Sequence, residues 1–246
     1  MEVRRSFSGR LIHVFLLLSA VAFAADDRSI KSVKAERDDV LTTNPDSSFW
    51  REGDAVSADS DQYGKLLAGR STEIRSRWTG KYLYFLFICP YETLDLKPAP
   101  NTATETYGLW DWDVAEVFLG TDFQNIGRYK EFEVSPQGEW VDLDIDRSNP
   151  HYEEGWRWNS GFESAARIDR ARKVWYAAMR IPLSALEVEH PAAGRTLRVN
   201  LFRIEGAEPQ RKYVAWQATM SETFHVPERF GILWLVDRPE PQKLKP

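Results

Sequence analysis

Residues 82–89, Tyr-Leu-Tyr-Phe-Leu-Phe-Ile-Cys, are apolar on both sides of any strand they form. Side chains alternate across a strand, so such a run needs a covering layer on each face. Around it lie further short runs with period-two patterning: 73–78, 114–119, 129–135, 140–145, 161–168, 174–181, 196–204, 212–218 and 230–236. Turn residues such as Pro136-Gln137-Gly138 separate them, and no connection holds a long amphipathic helix. Many short strands with turn signals between them predict an all-β fold, a single antiparallel β-sandwich of jelly-roll-like layout over 49–236. Pro182-Leu183-Ser184-Ala185-Leu186 predicts a turn that caps the strand before it. The polar stretch 25–48 is expected as a leader draped over the sandwich. The segment 237–246, rich in proline and basic residues, is expected as a disordered tail.

The N-terminus has a different character. Arg4, Arg5 and Arg10 precede an apolar run over 11–23, broken only by His13 and Ser19, and Ala22-Phe23-Ala24 supplies a small-x-small site. This is the layout of a signal peptide over 1–24, cleaved near Ala24. The apolar run falls short of the ~20 residues that span a bilayer. A secreted or periplasmic product with no membrane attachment after cleavage is expected, and a monomer. Its only cysteine is Cys89, which rules out an intramolecular disulfide and a thiolate zinc site. No Cys-x-x-Cys-His is present, so covalent haem is excluded. A net charge of −5, more acidic still without the basic N-terminus, and no basic cluster in the body argue against nucleic acid as a partner.

The densest chemistry lies at Leu109-Trp110-Asp111-Trp112-Asp113-Val114-Ala115-Glu116-Val117-Phe118. Tryptophan faces suit the C–H faces of a sugar ring, and carboxylates suit its hydroxyls. Rim packing is the ordinary role for Trp110 and Trp112, but the neighbouring carboxylates favour binding. As a strand, 113–119 places Glu116 between Val114 and Phe118 on one face. An ionised carboxylate there is costly unless it is paired or lines a ligand site; Arg203 is a candidate partner. A second aromatic cluster, Tyr213, Trp216, Phe224 and His225, closes the domain.

In 140–146, Val141, Leu143 and Ile145 face one way, and Trp140, Asp142, Asp144 and Asp146 the other. A solvated sheet face is the ordinary explanation. A structural calcium site on Asp142, Asp144 and Asp146 is the sharper one, because hard cations gather carboxylate oxygens. The chain has no Gly-x-Ser-x-Gly, no His-Glu-x-x-His and no phosphate-binding glycine loop.

Over about 49–236 the chain resembles the family 9 carbohydrate-binding modules and their stand-alone relatives. The residues that carry the resemblance are Phe49-Trp50, the runs 72–78 and 81–85, the Trp-x-x-Asp-x-x-Glu-x-Phe element from Trp110 to Phe118, the run 129–135, and Pro227-Glu228-Arg229-Phe230-Gly231. The resemblance implies a β-sandwich that binds sugars, at the reducing end of a glycan in xylanase-linked members. It implies two tryptophans around the ring, the first at Trp110; the second position holds Phe224 here. It assigns the hydrogen-bonding carboxylate to Glu116. A family asparagine falls near Ser221, and a family arginine falls on Glu133. Calcium sites also occur in the family.

The function expected from these features is a secreted carbohydrate-binding protein of carbohydrate catabolism, stacking on Trp110 and hydrogen-bonding through Glu116, with Phe224, Trp112 and Ser221 as further candidate binding residues. Two alternatives stand beside it. Abundant carboxylates, and the family's association with glycoside hydrolases, admit a protein that hydrolyses O-glycosyl compounds. Related sandwiches admit non-covalent haem, with Met179, Met220, His190 or His225 as axial ligands.

Overall fold

A computed structural model describes residues 28–238 of the chain. The expected signal peptide, and the tail from residue 239 on, lie outside the described residues. Thirteen strands form: β1 Ser29–Lys34, β2 Asp54–Ala58, β3 Ser60–Asp61, β4 Thr72–Trp78, β5 Tyr82–Pro90, β6 Val114–Gly120, β7 Arg128–Val134, β8 Trp140–Asp146, β9 Glu163–Asp169, β10 Val174–Pro182, β11 Thr196–Glu205, β12 Lys212–Ala215 and β13 Gly231–Val236. The only α-helix among the described residues is a single turn, α1, Ser48–Arg51, capped by the Ser47 side chain.

Hydrogen bonding runs in the order β8-β7-β6-β11-β13-β1-β4-β5-β10-β9, with β12 on β11 and β3, and β2 on β4. The path folds over on itself, so that β6, β7 and β11 face β4, β5 and β10 across one core. Phe132, Val117 and Leu201 from one half meet Phe85, Trp175 and Met179 from the other. This is the sandwich, and both faces of β5 are covered as its sequence requires. Its outward face, with Tyr84 and Leu86, packs under Phe49 and Trp50 of α1. The outward face of β6, β8 and β11 holds a separate aromatic cluster around Phe118, Tyr129, Phe202 and Phe224.

The leader contributes more than a cover. β1 lies between β13 and β4 and pairs in parallel with both, whereas the other described pairs are antiparallel. Its polar residues fit because Lys31 and Lys34 stay exposed and the buried Ser32 finds a partner on β4. Ser76 Oγ donates to Ser32 Oγ at 2.9 Å in the buried layer. Gly231, at the start of β13, has no room for a side chain: a Cβ there would sit 2.5 Å from the Arg28 carbonyl and 2.6 Å from the Trp216 ring. The turn expected over 182–186 is the 3-10 helix Leu183–Leu186.

Candidate functional site

The outward face of the β6 half opens into a cavity of about 370 Å³, at the lower end of the range for small-molecule sites. Phe118 and Leu143 form its floor, with Glu116 and Glu131. Trp110 and Tyr107 form one wall. Tyr152 and Glu153 of the 3-10 helix Tyr152–Arg157 form another. Tyr213 and the segment from Glu222 to His225 close it. The aromatic walls brace one another: Tyr107 meets Trp110 edge-on at 5.1 Å and Trp156 at 5.4 Å.

Three features hold the Trp110 wall. The 3-10 helix Leu109–Asp111 starts from Gly108 at φ 76, a left-handed conformation in which glycine avoids the Cβ clash. Its end would leave orphan carbonyls. Arg211, from the β11–β12 connection, donates to the carbonyls of Trp110 at 2.5 Å, Asp111 at 2.7 Å and Trp112 at 3.3 Å. Buried Asp113 accepts from the Gly206 backbone N–H at 2.5 Å. Both contacts tie the Trp110 loop to the β11–β12 hairpin that carries Tyr213.

Strand register determines the floor. Glu116 of β6 lies opposite Phe202 of β11 and opposite Glu133 of β7. Arg203 faces the other side, so it does not partner Glu116. Instead it sits in the central core, 3.1 Å from Glu205 and over the Trp175 ring. Glu131 shares the Glu133 face, so three carboxyl groups, each no more than 3% exposed, occupy one patch. Burial first, and then their mutual repulsion, push Glu116 and Glu133 well above the ordinary carboxylate range. Burial pushes Glu131 up to about 7. Glu131 Oε2 and both oxygens of Glu133 remain buried without a hydrogen-bond partner. His225 does not offset this charge: burial and Arg147 hold it down to about 3, so it is neutral. Its Nδ1 shares a 2.7 Å hydrogen bond with the Tyr129 hydroxyl.

Of the site residues named from sequence, Trp110, Glu116 and Phe224 come together in the cavity lining, and Trp112 and Ser221 lie outside it. Phe224 is no free plate: it lies flat on Phe202, with ring centroids 3.9 Å apart at 10°. Tyr107, Glu131, Tyr152 and Tyr213 were not named as contacts. Of these, Tyr213 had a signal, its place in the second aromatic cluster. The acidic ladder of β8 disperses. Asp142 is fully buried and accepts from the Ser160 backbone N–H at 2.9 Å. Asp144 pairs with Lys130 at 2.6 Å, and Asp146 accepts from Ser148 Oγ at 2.6 Å. Among the described residues, no group of three or more His, Cys, Asp or Glu side chains is placed to hold a metal ion. Among the four candidate haem ligands, His225 alone lines the cavity; Met179 is in the central core, and Met220 and His190 are exposed.

Raised carboxyl pKa values set a stability profile. A folded state that binds more protons than the unfolded one loses stability as pH rises. Glu131 and Glu105 are pushed up to about 7 and Asp113 to about 6, in each case mainly by burial. Thermal unfolding scans are therefore expected to show Tm falling between about pH 5 and pH 8, with most of the effect from the buried Glu131 and Asp113. Glu131→Gln should flatten part of that fall; an unchanged slope would contradict the buried-carboxyl assignment.

The Tyr152 wall rests on a glycine. A Cβ on Gly155 would collide with the Asp144 backbone on β8. Gly155→Ala should displace this 3-10 helix, reducing ligand affinity by roughly tenfold while the sandwich stays folded, as expected when the shell around a site is loosened. Calorimetry together with circular dichroism checks both halves of that expectation.

Comparison with known proteins agrees with this architecture. Two solved structures of a family 9 carbohydrate-binding module from Caldicellulosiruptor kristjanssonii superpose with TM-scores of 0.62. One, in complex with cellotriose, is 15% identical and covers 89% of this chain and 98% of its own. The other, in complex with glucose, is 14% identical and covers 87% and 99%. A protein described as an extracellular protein of Arthroderma benhamiae is 24% identical over 134 residues, 50% of this chain and 60% of that protein's length. Residues 46–238 match the family described as carbohydrate family 9 binding domain-like. This match spans most of the sequence and contains the cavity and every strand of the sandwich but β1, so the chain belongs to the carbohydrate family 9 binding domain-like family.

Proposed function

We propose that this is a secreted carbohydrate-binding protein that holds one sugar ring, or the end of a glycan, in the cavity beside Trp110. The observation that carries this reading is the buried carboxyl pair Glu116–Glu131 at the floor of an aromatic-walled cavity. Carboxyl groups accept from or donate to hydroxyls, depending on whether they are ionised. The indole of Trp110 and the phenols of Tyr107 and Tyr213 offer apolar faces with polar tips. Sugar-bound structures of the same fold support the reading, as does family membership. Secretion is supported by the basic-then-apolar N-terminal pattern and by an extracellular relative. Among the described residues, no helix is long and apolar enough to cross a membrane.

The site differs from the sandwich of two tryptophans that the resemblance implies. With one face of Phe224 flat on Phe202 and Tyr213 edge-on to it, stacking falls mainly to Trp110. Calorimetric titration with glucose, xylose, glucosamine and cello-oligosaccharides tests the proposal. Saturable one-to-one binding of at least one sugar is expected. Heat no greater than dilution for every sugar would refute it.

A further inference from the structure

The cavity is acidic beyond what hydroxyl recognition requires. Glu116, Glu131, Glu153 and Glu222 all line it, and no lysine or arginine does. Behind the floor stands Glu133, directly opposite Glu116 on the ladder, with both oxygens buried and without a hydrogen-bond partner.

The nearby positive groups are committed elsewhere. Arg211 faces three backbone carbonyls of the Trp110 loop, and its charge offsets the upward shift of Glu116 only in part. Arg147 lies over the Tyr152 ring at 4.3 Å. Lys130, on the opposite face of β7, pairs with Asp144. His225 Nε2 is 4.0 Å from Glu131 Oε2, but its ring is neutral. One carboxylate oxygen, Glu131 Oε2, is thus buried at the cavity floor with no donor.

Burying carboxyl groups this way is costly, and a cation recovers that cost where a neutral hydroxyl does not. A bare metal ion fits poorly, because the described residues offer no three-ligand cluster and the walls are aromatic. A cation attached to a flat, partly apolar ring satisfies walls and floor together.

Building on the sugar-binding reading, we propose that the cavity selects a sugar carrying a protonated primary amine, with the ammonium seated between Glu116 and Glu131 and the ring against Trp110. On binding, the carboxyl groups shed protons to solvent as the ammonium takes their place, while the ligand keeps its own charge. The aromatic rings flanking the floor add a cation–π contribution.

The test compares three probes of one ring size on the full chain at mildly acidic pH: D-glucosamine, D-glucose and N-acetyl-D-glucosamine, the last bulkier at the same carbon but uncharged. Glucosamine is expected to bind roughly tenfold or more tightly than either, the gain of a charge-assisted hydrogen bond over a neutral one. Its binding heat should also vary with the ionisation enthalpy of the buffer, reporting proton release. In Glu131→Gln the preference for glucosamine over glucose should collapse toward unity. Glucose or N-acetylglucosamine binding as tightly as glucosamine to the unaltered protein overturns this inference and leaves the sugar-binding reading standing. Failure of all three probes, and of the neutral oligosaccharides named above, overturns both.

Discussion

Trp110→Ala is expected to weaken sugar binding by about 2 kcal/mol or more, roughly thirty-fold, as loss of a central aromatic anchor does. Trp110 is half-buried, and its ring meets Tyr107 edge-on. Its backbone is held independently, by Arg211 on its carbonyl. Truncation therefore removes the stacking face without releasing the loop, and Tm should move by only a few degrees, roughly 1 kcal/mol. Trp110→Phe should retain part of the affinity, because a smaller face still stacks. Phe224→Ala provides a contrast. Phe224 lies on Phe202 within the packed cluster, so its loss should lower stability as well as affinity. Calorimetry with parallel melting curves separates the two patterns. Equal affinity in Trp110→Ala would remove Trp110 from the site.

The largest stability effect is expected at Arg77. Its side chain is 2% exposed. It donates to the carbonyls of Val33 at 2.9 Å, Phe49 at 2.5 Å and Lys34 at 3.1 Å, and to Glu52 at 3.3 Å. One guanidinium thus joins β1, α1 and β4, which hold the leader and the outer layer to the sandwich. Arg77→Ala removes these bonds and leaves buried carbonyls without a donor, a change worth about 3–5 kcal/mol. Tm should fall by roughly 10 °C in a domain of this size. Lysine cannot reproduce the fork and should recover only part of the loss. Glu52→Gln should cost less than about 1 kcal/mol, because Glu52 is largely solvated. An Arg77→Ala protein as stable as its parent would show that β1 and α1 are held by apolar packing alone.

Strands with one buried face were legible in the sequence because side-chain alternation is a local property. β5, β10 and β11, buried on both faces, were legible instead as apolar-rich runs of nine or ten residues bounded by turn residues. β1 was not legible, because Ser32 and Lys31 interrupt its apolar pattern and its burial depends on Ser76, distant in the chain. β2 and β3 are short and carry mixed residues. Parallel pairing of β1 is equally invisible to local pattern, since it depends on which strands flank it.

The same division explains the site. Glu116 stood out because it interrupts an apolar strand face. Its neighbours Glu133 and Glu131 did not, since only the β6–β7 register brings them together. That register also turned Arg203, a plausible partner by charge, to the opposite face. Arg211 gave no signal at all: its role arises from a hairpin reaching the end of a 3-10 helix nearly a hundred residues earlier.

At the centre of the proposed function is a sugar ring bound against Trp110 over the buried carboxyl groups. Diffraction from crystals soaked in saturating D-glucose tests it most directly. One ring is expected in the cavity, with a C–H face on the Trp110 indole and a hydroxyl within hydrogen-bond reach of Glu116. Glucose bound at another surface, with the cavity holding only solvent, would contradict it.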